Sequence, residues 1–314
     1  MARSSGGGRD RSWPPEPEPL PEPVVDGHTH LDTSAPEAGG FVPDPERTWG
    51  PTVEEHLDRA LRAGVTRMVQ IGCDLPAARW TDDVVRRYPE LLGGVAIHPN
   101  EAPLHAGVRE VAPDGLEPAP QGHHATDLDA AVAEVAAIAE GNERIRVIGE
   151  TGLDFFRAGE RGRAVQRESF RAHIALAKEL GLALQIHDRQ AHQDVLDVLA
   201  ADGAPERTVF HCFSGDAAMA RFCADQGWYL SFAGTVTFSG SGELREALRA
   251  VPLSQVLLES DAPYLTPHPY RGRPNAPYLV AETARAVAGI LELDLARLCS
   301  TVTATSVQVY GPWS

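Results

Sequence analysis

Residues 182–188 read LALQIHD, an apolar, β-prone run that ends in a histidine and an aspartate. The same form recurs in PVVDGHTHLD (23–32), RVIGETGLD (146–154), RTVFHCFSG (207–215) and VLLESDAPYL (256–265), although the sequence between these runs does not repeat. Each run closes on a ligand-type side chain: His28 and His30, Glu150, His187, His211 and Asp261. A parallel (β/α) barrel builds its active site in this way, because the C-terminal ends of all its strands face one mouth. One histidine so placed would carry little weight. Six ligand-type residues with the same strand-end position point to a metal centre.

The expected architecture is α/β, a TIM-type (β/α)8 barrel, with one domain over residues 24–314 behind a disordered extension over residues 1–23. A chain of 314 residues with 43% hydrophobic content can bury one large core of that kind. The formal net charge of -16 argues against broad electrostatic capture of nucleic acid, which depends on a basic surface. It does not exclude a nuclease, since bound divalent cations can supply the positive charge that a phosphate needs. Cys73, Cys212, Cys223 and Cys299 show no C-x-x-C spacing and read as reduced, packed thiols, which fits a cytoplasmic location. Residues 1–23 are rich in Gly, Pro, Glu and Arg, without an apolar run of signal-peptide or membrane-span length. Their composition predicts a solvated tail, no membrane partner is expected, and a monomer is favoured.

From Val24 onward short apolar strands alternate with helical segments, the pattern of β/α units. Eight strands are predicted near residues 24–27, 66–72, 92–97, 145–149, 182–187, 207–212, 228–233 and 255–259. Thr52 and Glu55 form a capping box ahead of a helix lined by Val53, Leu57 and Leu61 and stopped at Gly64. A second helix is predicted from about Arg163 to Leu180, with Phe170, Ile174 and Ala177 on its buried stripe and Gly181 as its stop. Two Pro/Gly-rich connections, 33–51 and 99–126, follow the first and third strands and so are expected on the catalytic face as rims or lids.

The chemistry starts at His28 and His30. In extended backbone residues i and i+2 share a face, so both imidazoles can reach one cation. His187 and His211 end two further strands, and neutral imidazole is a common ligand of transition metals. Glu150 falls between these pairs in chain order, where a carboxylate can bridge two cations. A carbamylated lysine, the other bridge used by barrel hydrolases, is excluded: the only lysine is Lys178, inside a predicted helix. Asp261 can touch both metal and water. Divalent cations lower the pKa of water toward neutrality, and Asp261 would orient that nucleophile and accept its proton.

Taken together, DGHTHL, GETGLDFF, QIHDRQA, HCFSG, ESDAPYL and RGRPNAP resemble the successive signatures of the TatD-type metal-dependent deoxyribonucleases of the amidohydrolase superfamily. The resemblance runs from about Val24 to Gly311. It implies that His28 and His30 hold a first metal with Asp261, that Glu150 bridges, and that His187 and His211 hold the second. The two ions would be Mg2+, Mn2+ or Zn2+. The activity implied is metal-dependent hydrolysis of DNA phosphodiesters, with single-stranded DNA or 3′ ends as substrate and trimming in the 3′-to-5′ direction. Hydrolysis of small esters, lactones or amides on the same barrel is the alternative.

Two positions depart from the family pattern. After G-x-H-P, where a second histidine is common, VAIHPN gives His98, Pro99 and Asn100; near the C-terminus Thr305 stands where Asn is common. The long 99–126 connection, with His105, His123 and His124, is expected to narrow access to the site. Arg271, Asn275, Arg189 and His98 are the expected substrate contacts, the arginines gripping phosphate oxygens two-pronged. His56, His173, His192 and His268 are expected on the surface.

Overall fold

A computed structural model describes residues 10–35 and 50–313. Eight strands, β1 (Val24–Thr29), β2 (Val65–Gly72), β3 (Leu91–Val95), β4 (Ile145–Asp154), β5 (Ala183–Arg189), β6 (Thr208–Phe210), β7 (Tyr229–Phe232) and β8 (Val256–Leu258), form one sheet in sequence order. Every neighbouring pair is parallel. Just past β8 the sheet meets its first strand: the Asp261 amide donates to His28 O at 3.0 Å and the His30 amide to Ala262 O at 2.8 Å. The fold is the TIM-type barrel that the strand runs predict. β6 and β8 are shorter than their apolar runs because the chain leaves extended backbone at Cys212 (φ 41°) and Asp261 (φ 50°).

Around the sheet lie α1 (Val53–Ala63), α2 (Leu75–Arg87), α3 (Ala102–His105), α4 (Leu128–Gly141), α5 (Glu160–Leu180), α6 (His192–Asp202), α7 (Ala217–Asp225), α8 (Gly242–Arg249), α9 (Val280–Leu291) and α10 (Leu295–Tyr310). The capping box at α1 is present: Thr52 Oγ1 accepts from the Glu55 amide, and Glu55 answers to the Thr52 amide at 2.8 Å. Gly64 closes the same helix in the left-handed region, where a Cβ would meet Leu20. Of the connection at 33–51, residues 36–49 lie outside the described residues. Among the described residues no helix is long and apolar enough to cross a membrane, and all four cysteines are free thiols.

The core has two layers. The outer one packs helices on the sheet. The inner one fills the barrel with Val25, Val69, Ile71, Leu92, Val147, Ala183, Val209 and Leu257, and Tyr310 and Trp313 from the C-terminus floor it. Strict two-residue alternation from Val25 would turn His28 out of the barrel, and from Val147 it would turn Glu150 out. Both strands break the alternation. Between Asp26 and Thr29, β1 advances three residues while β2 advances two, and β4 does the same against β5 between Ile148 and Thr151. Each extra residue re-aims the side chains beyond it, which is what bulges do beside active sites. β5 needs no such shift, so Gln185 and His187 follow Ala183 on one face.

The extension expected to be a solvated tail over 1–23 is corrected for its described part. Residues 10–23 form no helix or strand, yet they lie against the barrel with Leu20 buried. Their carbonyls find side-chain donors: Pro14 O accepts from Arg59 and from Tyr278 Oη (2.7 Å), Glu18 O from Arg285, and Pro23 O from Thr303. Glu16 pairs with Arg62 at 2.7 Å. Composition predicts disorder where apolar burial is scarce, and here arginines of the barrel supply the partners instead. Residues 1–9 lie outside the described residues.

Two of the four histidines expected on the surface are corrected as well. His56 and His173 are fully buried, because each sits on the inward stripe of its helix. His173 Nδ1 donates to Ser169 O (2.7 Å) and its Nε2 accepts the Ile97 amide at 3.1 Å, which fixes the backbone just ahead of His98. Burial drives the His173 pKa down to about 4. A neutral buried imidazole that titrates near 6.5 when unfolded stabilises fully above pH 6.5, and that contribution drains away as pH falls toward 4. At about 1.36 kcal/mol per pKa unit it amounts to roughly 3 kcal/mol. Urea midpoints measured between pH 7.5 and 4.5 should therefore fall more steeply for the native chain than for His173→Gln, and parallel curves would refute this.

Candidate metal centre

Glu150 is the hub of the barrel mouth. It is buried, and its two oxygens face different partners. Oε2 lies 3.5 Å from His28 Nε2 and 3.8 Å from His30 Nε2. Oε1 contacts His187 Nδ1 and lies 3.0 Å from His211 Nε2 and 3.4 Å from His98 Nε2. Asp261 Oδ1 stands 3.5 Å from His30 Nε2 and 3.9 Å from His28 Nε2, on the Oε2 side. The six side chains singled out in the sequence thus meet in one place, although more than 230 residues separate the first from the last.

The outer ring nitrogens show how the inner ones are held. His28 Nδ1 donates to Gln185 Oε1 at 2.7 Å, and His30 Nδ1 to Ile71 O at 3.1 Å. His211 Nδ1 faces Glu259 Oε1 at 3.1 Å. In each case the hydrogen bond at Nδ1 places the proton there and turns an Nε2 lone pair into the site, the usual support of a metal-ligating imidazole. Asp261 is fixed from two directions: its amide bonds to His28 O, and the neighbouring Ser260 is clamped by Asp26, whose Oδ1 accepts the Ser260 amide at 2.8 Å. Gln185 also donates to Gly27 O and to Tyr310 Oη, each at 2.8 Å, tying the ligand end of β1 to the barrel floor. Replacing Gln185 with Leu should weaken divalent-metal affinity about 10- to 100-fold, the usual effect of losing such a partner. Competition against a chelating indicator would measure it, and unchanged affinity would show that the amide does not orient His28.

Electrostatics match a cation-binding site. Burial opposes ionisation of Glu150, yet His211, His98 and His187 overcome it and hold the carboxyl well below its ordinary range. Burial likewise disfavours charge on His30 and His187, but Asp261 pushes His30 up to about 10 and Glu150 pushes His187 up to about 9. Among the described residues, no ion pair of Glu150, Asp154, Glu259 or Asp261 involves an arginine or lysine. Protons on imidazoles are the available counter-charges, and these are the protons a divalent cation displaces on binding. The donor set of ring nitrogens and carboxylate oxygens therefore fits divalent metal. Lys178 donates to Asp202 O outside the barrel, so no carbamate bridge forms.

Residues 25–311 match the family described as TatD-related DNase. The chain belongs to that family. It is 41% identical over 292 residues to the metal-dependent hydrolase TatD of Mycobacterium tuberculosis, covering 92% of this chain and 98% of that one. With the metal-dependent hydrolase YabD of Bacillus subtilis it shares 31% identity, over 82% of this chain and 92% of the relative. The crystal structure of YJJV, a TatD homologue from Escherichia coli K12, superposes with a TM-score of 0.75 at 21% identity, covering 92% of this chain and 98% of that chain, and supports the shared fold. This TatD-family chain is a metal-dependent hydrolase.

The expected substrate contacts divide. Arg189 and Arg271 are exposed, their guanidinium groups stacked 4.0 Å from the Phe156 ring and 3.9 Å from the Phe238 ring. Asn275 is corrected: it is fully buried, and its amide donates to Ser260 O (2.8 Å) and Tyr264 O, so it shapes the turn after Asp261 and offers nothing to a substrate. His98 does reach the site. Its Nδ1 accepts the Asn100 amide at 3.0 Å, which places the ring proton on Nε2 and makes His98 a donor toward Glu150 rather than a lone-pair ligand. Thr305 bonds within α10 to Thr301 O, away from the ligands.

Several residues of this TatD-family site were not singled out in the sequence. Asp154 Oδ2 lies 3.3 Å from His187 Nε2 and accepts from Asn100 at 3.1 Å. Glu259, Gln185 and Asp26 support ligands, and Cys73 Sγ stands 3.5 Å from Glu150 Oε2. Tyr264 is 54% exposed with its ring 5.9 Å from that of His30, an aromatic face open to solvent beside the centre. A signal existed for most of them. Gln185 stands two residues before His187 on the same face of β5, while Asp26, Glu259 and Asp154 stand within four residues of a ligand position.

Proposed function

We propose that this chain hydrolyses DNA phosphodiesters with a pair of divalent cations at the barrel mouth, trimming single-stranded DNA or 3′ ends. The observation that carries the reading is the division of Glu150: Oε2 turned to His28 and His30 with Asp261 nearby, Oε1 turned to His187 and His211. His28, His30 and Asp261 would hold one ion, His187 and His211 the other, and Glu150 both. Mixed imidazole and carboxylate donors suit Zn2+ and Mn2+ and tolerate Mg2+. When bound, such ions neutralise phosphate charge and lower the pKa of water.

The chain's own groups do the rest. Asp261 accepts the proton of the attacking water, because its carboxylate faces the centre and its backbone is clamped. His98 offers its Nε2 proton to a non-bridging phosphate oxygen. Arg189 and Arg271, already ordered by stacking, meet the phosphates further along the strand, and Tyr264 offers a face on which a base can stack. The acidic chain needs these few groups and the cations, since it has no net positive charge to gather nucleic acid. Four free thiols fit a cytoplasmic setting.

The test is incubation of metal-stripped protein with end-labelled single-stranded DNA, with and without Mg2+, Mn2+ or Zn2+. A metal-dependent ladder shortening from the 3′ end supports the proposal. Intact DNA beside a cleaved lactone or ester would replace the phosphodiester with a carbonyl substrate.

A further inference from the structure

The segment 99–126 gathers three more histidines away from the barrel ligands. His105 ends α3, while His123 and His124 lie in the short helical turn Gly122–Ala125. One ligand nitrogen from each ring lies within 4.8 Å of the others. Glu101 joins them: its Oε2 is 2.7 Å from His124 Nε2 and 3.2 Å from His123 Nε2. His105 is the telling member. Its Nδ1 donates to Thr126 O at 2.8 Å, which leaves Nε2 as a bare lone pair. That nitrogen is buried in a residue only 4% exposed and has no hydrogen-bond partner. A buried polar atom without a partner costs free energy, and this one belongs to a ring packed against two other imidazoles. Burial keeps His105 in its neutral form, and His123 and His124 hold Glu101 ionised against its own burial.

We propose that His105, His123, His124 and Glu101 form a second metal centre, separate from the barrel mouth, that binds a tetrahedral transition-metal dication, with zinc the best match. Three ring nitrogens and one carboxylate oxygen are a zinc donor set, whereas magnesium calls for octahedral oxygen ligands. Bonds of ~2.0–2.2 Å place tetrahedral donors about 3.4 Å apart, so coordination sets the ring nitrogens, now within 4.8 Å of one another, at that spacing and moves Glu101 Oε2 slightly away from His124. One contact must yield. His124 Nδ1 now accepts the Gln121 amide at 2.7 Å, and coordination through Nε2 moves the ring proton to Nδ1. Gln121 is exposed, so its amide can turn to water.

Four protein ligands leave no open position, which makes the centre structural. It would staple α3 to the turn at 122–125 across the Pro/Gly-rich stretch between them, removing the freedom of that loop. Glu101 follows directly on His98 and Asn100, so the staple also anchors the segment that brings those two side chains to the barrel mouth.

The full-length protein would be dialysed against buffered zinc and its metal counted by mass spectrometry. The native chain should hold one more zinc per molecule than His105→Ala or His123→Ala, with folding checked by circular dichroism. Glu150→Gln, which disables the barrel mouth, should keep this ion, so loss of the proposed nuclease reading would leave the result intact. Diffraction at the zinc edge from native crystals should show an anomalous peak among the three rings, and it decides the matter if both variants unfold. Equal zinc content in native and folded variant proteins, or a map with no peak in this cluster, overturns the proposal.

Discussion

Asp261→Asn should lower the rate of DNA cleavage by about 10²- to 10⁴-fold while leaving the barrel folded, the range attributed to a positioned general base. The substitution is informative because of the backbone. Asp261 sits at φ 50°, in the left-handed region that asparagine adopts at least as readily as aspartate. Its amide still donates to His28 O, the bond that joins the end of β8 to β1. The shape of the mouth is therefore retained while the oxygen that accepts a proton is replaced by one that cannot. Melting temperature should stay within a few degrees of the native value. Single-turnover cleavage of labelled DNA at saturating metal measures the effect. A rate within twofold of native would remove Asp261 from the chemistry and leave it as a ligand or turn residue alone.

Glu150→Gln should be more damaging, with the barrel mouth falling from its two proposed ions to at most one and cleavage falling by at least about 10³-fold, because bridging charge and bound cations together supply several kcal/mol of stabilisation. The proton balance gives a sharper reading than activity. In the metal-free native chain the Asp261 and Glu150 carboxylates lift His30 to about 10 and His187 to about 9. Both imidazoles therefore carry protons at pH 7.5, and metal must displace them. Affinity should climb as pH rises toward those values, with net proton release during loading. In Glu150→Gln the carboxylate that favours charged His187 is gone, so less proton is released. Calorimetric titration of metal in two buffers of different ionisation enthalpy measures the difference. Equal proton release by the native and variant proteins would show that Glu150 does not set the state of these rings.

The extension and the buried histidines show where sequence patterns fail. Residues 10–23 have too few apolar groups to predict packing, and they pack because Arg59, Arg285 and Tyr278 present donors to proline-rich backbone that has few amides of its own. His56 and His173 read as polar residues on helices. Only the docking of α1 and α5 reveals that each faces inward. Asn275 failed for a related reason: a polar residue just after a ligand loop looks like a substrate contact until the turn it fastens is seen.

What the amino-acid sequence determined by itself was the set of strands and the chemistry at their ends, since apolar β-prone runs closing on His, Glu and Asp are local features that need no knowledge of neighbours. It also fixed the absence of a lysine bridge, by composition. Tertiary structure decided which way those side chains point. The extra residues in β1 and β4 reverse the facing of His28 and Glu150 relative to Val25 and Val147, and such a shift depends on the register against β2 and β5, which no single strand encodes. It likewise decided the partners behind the ligands. Gln185 meets His28 across 157 positions of chain, and Glu259 meets His211 across 48, because closure of the barrel brings strand ends together regardless of their separation in sequence.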